Sequence, residues 1–164
     1  MEEQIMNMPA VALRGLTILP GMIAHFDISR ERSLRAVEEA MEQDQKIYLV
    51  TQRNVDSEDP TQEDLYQMGI VADIKQVVRL QNDVVRILVD GISRAALLGF
   101  TGNEKYLEAE ICYCDSNADS LPEDLREAML LGVREAFHRY AAVVGKISKE
   151  LIRQIDLYEA LDKL

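Results

Sequence analysis

The sequence predicts an α+β fold: a small, partly closed barrel of about six short strands with a flanking helix, followed by a helical region. Three observations lead there. Residues 70–89 and 106–114 alternate apolar and polar side chains with the period of two of a half-buried strand. Residues 30–44 instead carry Leu34, Val37 and Met41 at spacings of three and four, the stripe of an amphipathic helix. From Pro122 onward the helical period takes over, with Leu125, Met129, Val133, Ala136, Phe137 and Tyr140 in phase. Strands this short, with a glycine to bend one of them, suit a small closed sheet.

The elements follow in order. Residues 1–7 are polar without a period and are expected to be frayed. The barrel domain is expected over residues 8–115. It opens with an apolar strand at Pro9, then Arg14-Gly15, an apolar loop closed by Pro20-Gly21, and a strand over 22–28. Proline pre-sets a negative φ and glycine accepts the positive φ that follows, so Pro20-Gly21 reads as a type II turn. Ser29 is the expected N-cap of the helix, and Glu31 and Arg35 are placed to pair across one turn. Residues 46–51 are β-branched and aromatic and read as a buried strand. An acidic loop covers 52–60. Asp59, Pro60 and Gln62 form an expected capping box for a short helix that stops at Gly69. The long hairpin puts Ile70, Ala72, Ile74, Val78 and Leu80 on one face and turns at Gln81-Asn82-Asp83. Gly91 marks a bulge in its second arm. In the last strand Leu107, Ala109 and Ile111 oppose Glu108, Glu110 and Cys112.

Residues 116–121 read as a linker and 122–164 as a helical subdomain. Gly145 ends its first helix. Ser148 caps the next, with Ile147 and Ile152 as a staple. Asp156 and Glu159 suggest a further capping box, with Ile155, Tyr158, Leu161 and Leu164 as its stripe. The chain stops inside this period with no cap or polar tail, so the helical region is expected to be cut short.

Bulk properties narrow the function. The chain has 164 residues, 48% of them hydrophobic, and no Trp, so its core is aliphatic. The net charge of −11 argues against a broad phosphate-binding surface. The start is not a signal peptide, and no run approaches the roughly 18 apolar residues of a membrane span. With two cysteines and no disulfide framework, a cytoplasmic location is expected and no membrane partner.

The chemistry of catalysis is missing from the pattern. There is no G-x-x-x-x-G-K-[ST] string; Gly145-Lys146 is the single Gly-Lys pair, and Tyr140 stands where the first glycine belongs. Ser148 beside Lys149 reads as a cap next to a solvated lysine. His25 and His138 read as lone structural histidines. Cys112 and Cys114 face one way on a strand, half of a metal site without the other half. Glu38-Glu39, Glu108 and Glu110 read as solvated faces. No catalytic, cofactor-binding or metal residue is expected. What remains is a binding surface: Leu16, Ile18, Leu19, Met22 and Ile23 crowd the first loop, most of them expected to pack, the remainder to contact polypeptide. Leu16, Leu19 and Met22 are the expected contacts, joined by Arg30, Glu31 and Arg35 on the adjoining helix.

The run from Pro9 to Met22 resembles the opening of the N-terminal domain of Lon, the ATP-dependent protease of bacteria and organelles. Five further places fit in order. They are Ala36-Val-Glu-Glu-Ala-Met41; Ile47 to Gln52; Asp59-Pro60-Thr61 with Asp64-Leu65-Tyr66, Gly69 and Val71; Val89, Gly91 and Arg94; and Tyr106 with Ala109. The likeness covers about residues 8–112, and the later helices fit as well. Gln81-Asn82-Asp83 departs from the Asp-Gly turn of many relatives, which bears on turn type. The resemblance implies a PUA-like barrel that engages unfolded, damaged or regulatory proteins, without catalysis of its own. It implies a parent serine protease acting as a homohexamer, whose ATP, magnesium and serine–lysine dyad belong to modules absent here. The alternative reading is a stand-alone PUA-like module for RNA or a small ligand; the charge and the lack of an interleaved basic–aromatic stripe speak against it.

Overall fold

The computed structural model describes residues 5–114 and 121–159, which fall into two compact units. The first contains β1 (Ile5–Leu13), β2 (Ile23–Ile28), α1 (Glu31–Glu42), β3 (Lys46–Thr51), a 3₁₀ turn (Gln62–Asp64), β4 (Met68–Arg79), β5 (Val85–Phe100) and β6 (Glu108–Tyr113). The six strands form one sheet in the order β2-β5-β4-β3-β1-β6, and β5 also pairs with β6. That extra pairing closes β1, β3, β4, β5 and β6 into a ring, with β2 laid along β5 outside it. All pairings are antiparallel except β1 with β3.

β5 serves three neighbours because it bends. Ile92 is an extra residue between the pairs Ala72↔Gly91 and Val71↔Ser93. Such a bulge kinks a strand and increases its twist. Before the bend β5 pairs β2 from Val85 to Asp90; after it, Ala95 to Phe100 pair β6. The bulge predicted at Gly91 is there. A Cβ on Gly91 would lie 2.4 Å from the Leu19 carbonyl oxygen, so only glycine lets the first loop approach.

Two apolar clusters lie on opposite faces of the ring. Met8, Ala10, Ala12, Tyr48, Val50, Val71, Ala95, Leu97, Ala109 and Ile111 come from all five strands and fill one. Val11, Leu13, Ile47, Leu49, Ile70, Ile74, Ile87 and Val89 fill the other with Ala36, Val37 and Ala40 of α1. Each large aliphatic side chain so buried contributes about 1.5–3 kcal/mol relative to exposure. Tyr48 is fully buried, and its hydroxyl donates to the Ala95 carbonyl at 3.1 Å. Burial pushes that hydroxyl's pKa up.

Several local expectations are corrected. Ile5, Met6 and Asn7, expected to be frayed, pair with Cys112, Ile111 and Glu110. Ser29 does not cap α1: the N-cap is Arg30, and no side chain bonds there. The buried face of α1 is Ser33, Ala36, Val37 and Ala40, one step round from the expected stripe, so Met41 is exposed. The short helix is one 3₁₀ turn whose capping box joins Thr61 and Asp64, while Asp59 pairs with Arg32 at 3.1 Å. Val78 and Leu80 are exposed because a register shift between Ile74 and Gln76 ends the alternation. Asn82 and Asp83 make the hairpin turn at positive φ of 59° and 57°.

The second unit is α2 (Glu123–Val144) and α3 (Lys149–Leu157). Gly145 takes the left-handed conformation that ends α2, and its N–H reaches the Ala141 carbonyl at 3.0 Å. Ser148 Oγ caps α3 by accepting from the Leu151 N–H at 3.2 Å. Asp156 starts no new helix among the described residues; it lies inside α3, with Oδ1 2.8 Å from His138 Nε2. Leu161, Leu164 and most of the expected linker lie outside the described residues.

Candidate functional site

The loop joining β1 to β2 is pinned at several points. Gly15 and Gly21 have φ of 64° and 75°, and the Met22 N–H bonds the Leu19 carbonyl at 3.1 Å, closing the Pro20-Gly21 turn. The Gly21 N–H donates to Gly91 O at 2.7 Å, and the Gly91 N–H donates to Met22 O at 3.0 Å. Thr51 Oγ1 holds the Leu16 carbonyl at 2.8 Å. Ile18 is buried in the core and Leu16 packs beside it. This anchoring leaves Leu19 at 58% exposure, Met22 at 38% and Ile23 at 66%. Most of the loop's apolar residues were expected to pack; three of the five instead face solvent, because short bonds to Gly91 fix the backbone with those side chains outward.

Beneath the loop lies an open cleft of about 520 Å³, lined by Leu13, Arg14, Leu16, Phe26, Arg30 and Ser33 among others. Arg30 spans it. Its Nη1 donates to Gln52 Oε1 and its Nη2 to the Ser57 carbonyl, both at 2.9 Å. Gln52 is buried, and its Nε2 donates to the same carbonyl at 3.0 Å. Arg14 Nη2 adds a third donor at 3.2 Å. Burial, then the charge of Arg14, lowers the pKa of Arg30. Asp27, on the cleft wall, is committed to Arg86 through two bonds of 2.6 and 2.9 Å. That pairing holds its carboxyl below the usual range.

The structure therefore brings Leu16 and Arg30 to one cleft and sets Leu19 and Met22 on the loop above β2. Glu31 and Arg35 pair with each other at 2.5 Å on the exposed face of α1 and do not line the cleft. Sequence reasoning missed Arg14, Ser33, Gln52 and Ser57. Ser33 had a signal: with Ala36, Val37 and Ala40 it follows helical spacing, so it had to be buried. Ser57 had none, since only its backbone takes part. A second groove, about 840 Å³, runs past Arg53, Tyr66 and Leu98, with the Arg53 guanidinium 5.0 Å from the Tyr66 ring centre.

Among the described residues no group of three His, Cys, Asp or Glu could hold a metal ion, and no helix is long and apolar enough to cross a membrane. Cys112 and Cys114 are half-buried and not joined in a disulfide.

A family model for the substrate-binding domain of ATP-dependent protease La (LON) matches residues 7–164. The chain belongs to the Lon substrate-binding domain family. Lon protease of Lachnoclostridium phytofermentans is 37% identical over 164 residues, covering 100% of this chain and 20% of that protein. Lon protease 1 of Bacillus subtilis is 32% identical over 149 residues, covering 91% and 19%. The chain thus spans about a fifth of the length of these Lon relatives. The solved N-terminal domain of Mycobacterium avium complex Lon protease superposes with a TM-score of 0.69 at 15% identity, covering 93% of this chain and 76% of that one. The Lon N-terminal domain protein of Xanthomonas campestris gives 0.55 at 16% identity, covering 80% and 72%. The α+β architecture is that of these Lon domains.

Proposed function

We propose that this chain is the substrate-engaging front end of a Lon protease and binds unfolded or damaged polypeptide without cutting it. One observation carries the reading: Leu19 and Met22, on a loop whose backbone is fixed by Gly91, and Ile23, which opens β2, are all exposed. Isolated surface apolar residues need no explanation, but a rigid cluster favours contact with apolar segments of another chain. Leu and Met adapt to varied partners, as recognition of many unfolded sequences requires. Arg30 in the cleft, and Glu31 and Arg35 on the exposed face of α1, add further polar contacts. The parent protein is an ATP-dependent serine endopeptidase of the cytoplasm. It works as a homohexamer with ATP and magnesium in its other modules, and these supply all the catalysis. RNA and membranes are not partners of this region.

The test is fluorescence anisotropy of the chain with a reduced, alkylated protein that stays unfolded, and with its folded parent, at low and high salt. Preference for the unfolded form, weakened by Leu19→Ser and by Met22→Ser and little changed by salt, is the expected result. Equal binding of both forms, or affinity indifferent to both substitutions, refutes it.

A further inference from the structure

Beside the cleft under the loop, three side chains donate to one carbonyl oxygen. A carbonyl oxygen offers two lone pairs, yet Ser57 O faces N–H groups of Arg14, Arg30 and Gln52 at 3.2, 2.9 and 3.0 Å. Arg14 is the longest of the three and lies on an exposed side chain. Helix α1 starts at the same place without a side-chain cap. The N–H groups of Glu31, Arg32 and Ser33 precede the first intrahelical bond, from Leu34 N–H to Arg30 O. The Ser33 side chain lines the cleft at 5% exposure, and its hydroxyl has no hydrogen-bond partner among the described residues. Two carboxylates also line the cleft: Asp27 is held by Arg86, and the charge of Glu58 acts on Arg30. Leu13, Leu16 and Phe26 supply an apolar wall beside the donors.

We propose that this cleft binds the C-terminal carboxylate of an extended polypeptide whose last side chain is apolar. Two guanidinium groups, a helix N-terminus and an unpaired hydroxyl match an anion. The apolar wall favours the chain terminus over an Asp or Glu side chain, because a terminal residue carries its carboxylate and its apolar group on one Cα. Glu58 competes for the same donors. The inference rests on the polypeptide-binding reading and adds a feature it recognises.

The test uses the 164-residue chain and two fluorescein-labelled unstructured peptides ending in Leu-Phe, one a free acid and one a C-terminal amide. The free acid is expected to bind about tenfold more tightly, the scale of hydrogen bonds to a charged group. Arg14→Gln and Ser33→Ala should each cut that preference to about threefold or less and leave amide binding unchanged; Glu58→Gln should increase it. Ser33→Ala removes an unpartnered hydroxyl and keeps the fold, which the urea midpoint checks. Equal binding of acid and amide overturns the carboxylate site and leaves polypeptide binding standing. So does a preference that survives both Arg14→Gln and Ser33→Ala, or an amide with an internal Glu that binds like the acid. Failure of both peptides to bind overturns both readings.

Discussion

Replacing Gly91 with alanine puts a methyl group where another segment's backbone already sits. The new Cβ would lie 2.4 Å from the Leu19 carbonyl oxygen and 2.8 Å from Ile70 Cδ1. Carbon and oxygen do not approach that closely, so the loop or β5 must move. Overpacking of this kind costs about 1–3 kcal/mol. Movement also stretches the Gly21–Gly91 and Gly91–Met22 hydrogen bonds, each worth about 0.5–1.5 kcal/mol. Gly91→Ala should therefore destabilise the barrel by about 2–4 kcal/mol. Gly99, later in β5, is the control: a Cβ there meets nothing closer than Gln62 Oε1 at 3.8 Å. Gly99→Ala should lie within about 0.5 kcal/mol of the parent or slightly above it. Urea unfolding followed by circular dichroism measures both, and the chain has six Tyr and no Trp for a fluorescence check. Because the loop carries Leu19 and Met22, Gly91→Ala should also weaken binding of unfolded protein under folding conditions. If Gly91→Ala and Gly99→Ala prove equally mild, the close approach that fixes the loop is wrong.

Three other predictions concern the core, the loop and the helices. Burial raises the Tyr48 pKa, so the folded state keeps that proton where the unfolded chain loses it. Its stability contribution is whole below about pH 10 and declines as pH rises beyond that; Tyr48→Phe should cost about 1 kcal/mol at neutral pH and shrink the alkaline loss, as urea unfolding at about pH 8 and about pH 11 will show. Leu19→Ser touches a side chain 58% exposed and should change stability by no more than about 0.5 kcal/mol; a larger loss would mean that Leu19 packs. Ser148→Ala removes the cap on the Leu151 N–H and should cost about 1 kcal/mol locally, read as faster amide exchange at Leu151.

Where sequence periodicity reports local burial, the fold was legible. The alternation of Leu107, Ala109 and Ile111 gave β6 and its inward face, and the aliphatic run at 46–51 gave β3. Gly91 was readable as a bulge because an interior glycine in a strand has few other uses. The failures share a cause: partners distant in sequence. Residues 1–7 as a whole look polar and aperiodic, yet β6 offers Ile5, Met6 and Asn7 an edge to pair with. Val78 and Leu80 keep the alternation in sequence, but the bulge beyond Ile74 takes them off the core. Ser29 has the chemistry of a cap, but Arg30 takes that position and is drawn to Gln52 and Ser57. The site was legible by half for the same reason. An apolar loop is visible in composition, whereas its exposure depends on Gly91, some seventy residues away, and the cleft's donors converge on one backbone carbonyl that no side-chain pattern marks.

The most direct test of the central claim is two-dimensional NMR of the isotope-labelled chain titrated with a reduced, alkylated protein. The account predicts that backbone and methyl shifts change first at Leu19, Met22 and Ile23, and that Met22→Ser abolishes them while the rest of the spectrum keeps its folded dispersion. Shifts confined to other faces, such as the groove at Arg53 and Tyr66, with none in residues 16–23, would contradict it.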